Sequence, residues 1–326
     1  MIGTSDVTRL EESIRTLREI DYRSGGEACL DEVRRRIRDS LPLLDAAAPE
    51  HVRRRLQVAL ADLRNLAGWV CFDAGLVNSA HNHFCHALVL AGLARADGLT
   101  ANVCYRLGRV FLHHGHLDEA LRYFDLGQLA AARSGDVLAA GILSVNSAWA
   151  CAKKGAERGA LELLGRGQEQ FAAADRGEVA GWAAFFTEAD LSGLSGAVHA
   201  DLSGTAGRQH AGTAVALLTT AVDGYGEGMV RSRTFSLILL STSHLVEGDV
   251  QAGVDVGLRA LAMSESVGSA RVRDRFRPLV SLARRYHRHA EALDLAARID
   301  AGTEPPAPVR PLAPGESRAV VERPPP

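Results

Sequence analysis

An all-α, right-handed solenoid of about fourteen helices, stacked as six or seven pairs, is the fold this sequence predicts. Three observations predict it. The first is an internal repeat with a period of 40 residues, and repeats at such periods mark stacked architectures. The second is composition: hydrophobic residues make up 47% of the 326 but aromatics only 5%. The apolar content is thus mostly Ala and Leu, which lose least on entering a helix. The third is spacing within the repeat, where apolar positions recur at intervals of three and four, the signature of one helix face.

The repeat is read from four positions: Gly75, Ala80, Phe84 and Ala87. They recur as Gly115, Ala120, Phe124 and Gly127, and again as Gly155, Ala160, Leu164 and Gly167. A small residue stands earlier in each unit, at Gly68, Gly108 and Ala148, and a further copy runs through Gly248, Gly253, Gly257 and Ala260. The early small residue lets the second helix approach the first. The Gly that follows ends the first helix by entering the left-handed conformation. One pair cannot bury its own apolar face, so several must stack into a continuous core. The interval from Gly155 to Gly248 has room for one more unit and a long loop, expected at 195–209, where Gly196, Gly204 and Gly207 stand among polar residues.

The ends read differently. Thr8 followed by Glu11 has capping-box spacing, a turn is expected at Gly25-Gly26, and an arginine-rich helix begins near Glu27. Pro49 is expected in the first turn of the next helix. Residues 1–50 are therefore read as N-terminal capping helices and 51–300 as the solenoid. Residues 301–326 hold eight of the eleven prolines and are read as a disordered, proline-rich tail.

The stretch from Tyr105 through Leu107-Gly108, Phe111, Gly115, Ala120 and Phe124 resembles a tetratricopeptide repeat. It departs from that motif in its period, since about 34 is usual, and in lacking the motif's Trp. HEAT-type pairs share the longer period and stay as an alternative. A broader resemblance rests on Trp182, Phe185, Phe186, Glu188, Ala189 and Leu191, on Arg231-Ser232-Arg233, and on Gly248-Asp249-Val250, Gly257 to Leu261 and Ser269 to Val272. Together these resemble the C-terminal sensor half of actinobacterial Cro-like helix-turn-helix transcriptional regulators. In that family a helix-turn-helix precedes the solenoid, whereas here Met1 opens almost directly onto it. The resemblance implies a ligand sensor tied to gene regulation, with any DNA contact supplied by a partner. Direct DNA binding is not expected.

Charge and motif content narrow the function. The formal net charge of −2 gives no field for nucleic acid or anionic membrane. No apolar run is long enough to span a bilayer, and the N-terminus does not read as a signal peptide. Cys29, Cys71, Cys85, Cys104 and Cys151 form no CxxC pair and read as reduced, mostly buried residues, so the cytoplasm is the expected compartment. No phosphate loop, nucleophile elbow or HExxH stands in the chain, and neither an enzyme nor a cofactor is expected. His81, His83, Cys85 and His86, with His113, His114 and His116, mark a histidine-rich edge. They read as polar turn residues, with a metal-dependent sensor or enzyme as the competing reading. The arginine runs 34–38, 53–55 and 271–277 read as solvated faces. Eleven arginines and eleven acidic residues cancel within 1–60.

In a tetratricopeptide-like stack the first helices line the concave groove. That register turns inward Asn65 and Trp69, then Asn102, Tyr105, Arg106 and Arg109, then Asn146 and Trp149. Trp, Tyr and Arg anchor partners, Asn bonds a peptide backbone, and Arg grips a carboxylate. The two tryptophans serve equally well as packing between helices. Asp190, Glu188, Arg231 and Arg233 are further candidates in weaker register. The reading is a non-catalytic regulatory protein whose groove binds a peptide, a protein segment or a small molecule. A structural adaptor is the alternative. The assembly is open, a homodimer included.

Overall fold

The computed structural model describes residues 2–303 except 176 and 178; the proline-rich stretch after Thr303 lies outside the described residues. Fourteen α-helices run through them: α1 (Thr4–Ser24), α2 (Leu30–Ser40), α3 (Glu50–Asp73), α4 (Val77–Leu93), α5 (Asp97–His113), α6 (Leu117–Ser134), α7 (Val137–Lys153), α8 (Glu157–Ala173), α9 (Glu188–Thr205), α10 (His210–Gly224), α11 (Val230–Glu247), α12 (Val250–Ser264), α13 (Ala270–Arg285) and α14 (Ala290–Thr303). Odd and even helices pack as antiparallel pairs, and each pair stacks on the next.

The repeat is visible in the geometry. Helices α4, α6 and α8 start at 77, 117 and 157, the predicted period. A Cβ added at Gly108 would lie 2.2 Å from the Phe124 ring, so the small residue is what admits the second helix. Gly115 ends α5 with φ +80°, and nothing lies within 4 Å of where its Cβ would stand. Gly115→Ala is therefore expected to cost about 1 kcal/mol from backbone strain alone. Gly159→Ala, in equally open space on α8, should stabilise by about 0.5–1 kcal/mol. Urea unfolding of the two variants reads both signs, and a loss in both would refute the assignment.

Two expectations are corrected. Residues 195–209 are not a loop: they lie largely in α9, whose N-terminus is closed by a capping box between Thr187 and Asp190. The long connection is instead 174–187, between α8 and α9. Small residues caused the misreading: Gly196 packs against Leu218 inside α9, Gly204 lies in its last turn, and Gly207 (φ +157°) stands past its end. Thr8 and Glu11 do not start a helix either. Helix α1 begins at Thr4, the Gly3 N–H before it donates to Asp6 Oδ2 (2.8 Å), and Arg55 donates to both Thr8 and Glu11 from α3.

What positions the site is closure. Helix α1 packs on α11, and α13 reaches back to α3. The main chain joins the two ends, with Gly268 N–H donating to Ser24 O (3.1 Å) and Glu27 N–H donating to Gly268 O (3.3 Å). The stack thus curls until its early and late helices touch beside a central lumen.

Candidate functional site

Five helices furnish the aromatic and arginine side chains that dominate the lumen wall. Helix α3 supplies Trp69, α5 supplies Tyr105, Arg106 and Arg109, and α7 supplies Trp149. Helix α11 supplies Arg231 and Phe235, and α13 supplies Arg271 and Arg275. Each pair separated by four residues shares a helix face.

These side chains form a ladder of alternating guanidinium and ring. Arg106 lies 5.2 Å from the Trp69 ring centre, and Arg271 lies 4.5 Å from the same ring. Arg271 is also 5.1 Å from Phe235, and Arg275 is 4.9 Å from Phe235 and 4.7 Å from Trp149. Arg109 lies 4.8 Å from Trp149. Since Arg106 and Arg109 share α5, the ladder closes on itself. Each such contact, taken from water, contributes about 1–2 kcal/mol. Two adjoining cavities, of about 100 and about 420 Å³, share Arg109, Trp149, Leu239, Arg271 and Arg275 as wall.

Beside the ladder sits a buried ion network that ties the two ends of the chain. Arg231 donates to Asp21 Oδ1 (2.8 Å) and Oδ2 (2.9 Å), and to Asp73 Oδ2 (2.9 Å). Asp73 Oδ1 accepts from Ser269 Oγ (2.8 Å) and from Arg271 (3.2 Å), and Oδ2 also accepts from Gly26 N–H (2.9 Å). Both carboxylates are fully buried. Burial pushes the Asp73 carboxyl up, but Arg231, Arg271 and its two uncharged donors outweigh that and hold it below the ordinary range. Burial alone would lower Arg231; its two aspartates raise it instead. For Arg271 and Arg275 burial dominates, and both guanidiniums are lowered to about 9.

Of the eight groove residues expected from sequence, Trp69, Tyr105, Arg106, Arg109 and Trp149 line the first cavity. The three asparagines stand behind it. Asn65 Nδ2 donates to Asn102 Oδ1 (2.9 Å), and Asn102 Nδ2 donates to Trp182 O (3.3 Å). Arg106 donates to Asn65 O (3.0 Å), and Arg109 donates to Asn146 Oδ1 (3.1 Å). Asn146 thus braces Arg109 through its side chain, Asn65 holds Arg106 through its backbone carbonyl, and Asn102 ties Asn65 to the Trp182 carbonyl. Arg231 enters the lumen, Arg233 bonds the Tyr225 carbonyl, and Asp190 lies at the lumen edge capping α9.

The arginine run 271–277 is not a uniformly solvated face. Arg273 pairs with Glu27 and Arg277 with Asp274, but Arg271 and Arg275 point into the lumen. The sequence carried a signal for this. Val272, Phe276, Leu279 and Val280 form the apolar stripe of α13, and Arg271 and Arg275 directly adjoin it. The histidines also divide. His113 bonds Asp274 (3.1 Å) beside Phe72 and is lowered to about 3 by burial and by Arg271 and Arg275. His83 meets Arg64 and is lowered to about 4 by burial and that charge. Among the described residues no group of three or more His, Cys, Asp or Glu is gathered to hold a metal. No described helix is long and apolar enough to cross a membrane.

No protein-family model and no curated protein matches the chain. Among solved structures it is similar to a Rap protein complexed with Competence and Sporulation Factor. The two are 9% identical with a TM-score of 0.55, over 91% of this chain and 89% of that one. At that identity the likeness bears on the fold, a tetratricopeptide-like helical solenoid.

Proposed function

We propose that this chain is a non-catalytic regulatory binding protein whose lumen takes a peptide or protein segment. The observation that carries the reading is the closed arginine–aromatic ladder around two joined cavities. Buried Trp, Tyr and Arg with a space beside them are the residues that dominate recognition energies. The solved Rap protein, similar in fold, holds a factor in its complex, which supports the same use of the solenoid here. The Asp21–Asp73–Arg231–Arg271 contacts hold one curvature of the stack, and an occupant of the lumen beside them meets the shape that curvature gives. It therefore prefers one curvature over another, which is what a ligand needs in order to switch a protein. The resemblance to sensor halves of Cro-like regulators supports gene regulation as the output, through a partner that meets the DNA.

The test is native mass spectrometry of the chain isolated gently with its cellular partners, beside the variant Arg109→Ala/Trp149→Ala. A bound peptide or segment whose affinity falls by about 30-fold or more in the variant, with helicity unchanged, is the expected result. A partner that binds the variant equally well would place recognition on the convex surface and overturn the lumen reading.

A further inference from the structure

The ladder holds more cations than its surroundings neutralise. Arg231 and Arg271 are balanced by Asp21 and Asp73. Arg18 is taken by Asp62, and Lys153 by Asp201. That leaves Arg106, Arg109 and Arg275. Arg106 rests on a backbone carbonyl and Arg109 on an amide oxygen. Among the described residues no carboxylate pairs with Arg275, and its Nε is a buried donor without a partner. Asp190 is the acid that lines the first cavity, and burial raises it to about 6, so it supplies little negative charge in mildly acidic conditions; Asp201 and Asp274 line the second, Asp201 held by Lys153 and the Trp149 N–H and Asp274 paired with Arg277 and His113. A cation held away from water without a counter-charge is costly. Ring faces offset part of that cost without occupying the guanidinium N–H groups, of which Arg106 and Arg109 each commit one to a neutral oxygen.

We propose that the lumen binds a carboxylate carried on an apolar body, with Arg275 and Arg109 gripping the anion and Trp149 and Phe235 flanking its carbon skeleton. This rests on the reading of the lumen as a binding site. The planar fork of arginine matches a carboxylate in two-pronged fashion. Ring stacking fixes that plane in advance, so little freedom is lost on binding. The aromatic walls favour an apolar body over a hydrated phosphate. The smaller cavity, about 100 Å³, suits the acid group and a few carbons, and the adjoining 420 Å³ suits what is attached to it. The carboxylate belongs either to a free organic acid or to a peptide C-terminus.

The probe is 3-phenylpropionate, with its neutral amide and inorganic phosphate as comparisons, titrated against the full chain by tryptophan fluorescence and melting temperature. Pooled hexapeptides with free or amidated C-termini form the second arm. Saturable binding of the acid, with the amide and phosphate each at least tenfold weaker, is expected. So is a loss of roughly tenfold to hundredfold in Arg275→Gln, partly restored in Arg275→Lys. Arg284→Gln, in an exposed pair with Asp300, should bind as the parent does. Preference for free over amidated peptides would assign the carboxylate to a peptide end, and binding of the small acid alone would assign it to a metabolite; both support the site. Equal binding of acid and amide, tighter binding of phosphate, or full affinity in Arg275→Gln would overturn it. If amidated peptides bind as well as free ones and Arg275→Gln is silent, the carboxylate site falls while the peptide-binding lumen stands. If neither peptides nor acid bind, both fall.

Discussion

Arg231→Met is expected to destabilise the protein by about 3–5 kcal/mol, the usual consequence of removing one partner from a buried ion network. The reason is what stays behind. Asp21 and Asp73 are both wholly buried, and Arg231 is the only charged group within ion-pair distance of Asp21 among the described residues. Met fills a similar volume, so the loss reports charge rather than a cavity. The contrast is Arg284→Met, where both partners are exposed and a change under about 1 kcal/mol is expected. Urea unfolding measures both. Small-angle scattering adds a second reading. Arg231 stands on α11 and its partners on α1 and α3, so the variant's radius of gyration should grow as the ends of the stack part. A loss below about 1 kcal/mol with no expansion would show that the network does not hold the curl closed.

The same network fixes how acid acts. The Asp73 carboxyl is held below its ordinary value in the folded chain. Its stabilising contribution is therefore present above the unfolded value, about 4, and is lost as pH falls through the depressed folded value. The parent should lose stability steeply on that acid limb, and Arg231→Met should lose less, having already forfeited much of the contribution.

The sequence showed one kind of information well and another hardly at all. Period, pairing and helix ends were legible because they are local. Gly115 and Phe124 sit at fixed offsets, and the chemistry of each acts within its own pair. Inward-facing Trp69, Arg109 and Trp149 were legible for the same reason, since a repeat register carries a facing direction with it. Closure was not legible. Arg231 meets Asp21 across 210 positions and Arg271 meets Asp73 across 198. Helical spacing gives the face of an arginine but not its distant partner. The alternate spacing of the α13 arginines therefore reads as charge spread around a solvated helix, as the N-terminal runs also read, where Arg34, Arg35 and Arg36 do pair along their own helix. The asparagines illustrate a subtler limit. Asn65 and Asn146 have the inward register and the bonding capacity of ligand contacts. Yet they sit one layer deeper, because arginine is long enough to reach past them into the lumen.

Asp190→Asn is expected to stabilise the protein at pH 7.5 by roughly 3 kcal/mol, the opposite sign from the Asp73 network. Burial raises the Asp190 carboxyl from 3.8 to about 6, against hydrogen bonds from Thr187 and Tyr225 that favour ionisation. At about 1.4 kcal/mol per unit, that difference gives the figure. The sign follows from linkage. A folded value above the unfolded one means the favourable state is the protonated one, complete below about pH 4 and lost as pH rises through about 6. At neutral pH the folded parent carries an ionised, buried carboxylate. Asn removes the charge yet keeps an oxygen to accept from the Thr187 N–H, so the cap of α9 survives. Unfolding at pH 4 and at pH 7.5 separates the outcomes: a gain at the higher pH only is expected. A loss at both would mean that Thr187 and Tyr225 hold the anion firmly and that burial does not govern this group. The result also bears on the lumen, because an ionised Asp190 adds negative charge to the wall where Arg109 and Arg275 stand. Acidification from pH 7.5 to about 5.8, above the range in which the probe's own carboxyl titrates, should then tighten the binding of 3-phenylpropionate, and Asp190→Asn should remove most of that pH dependence.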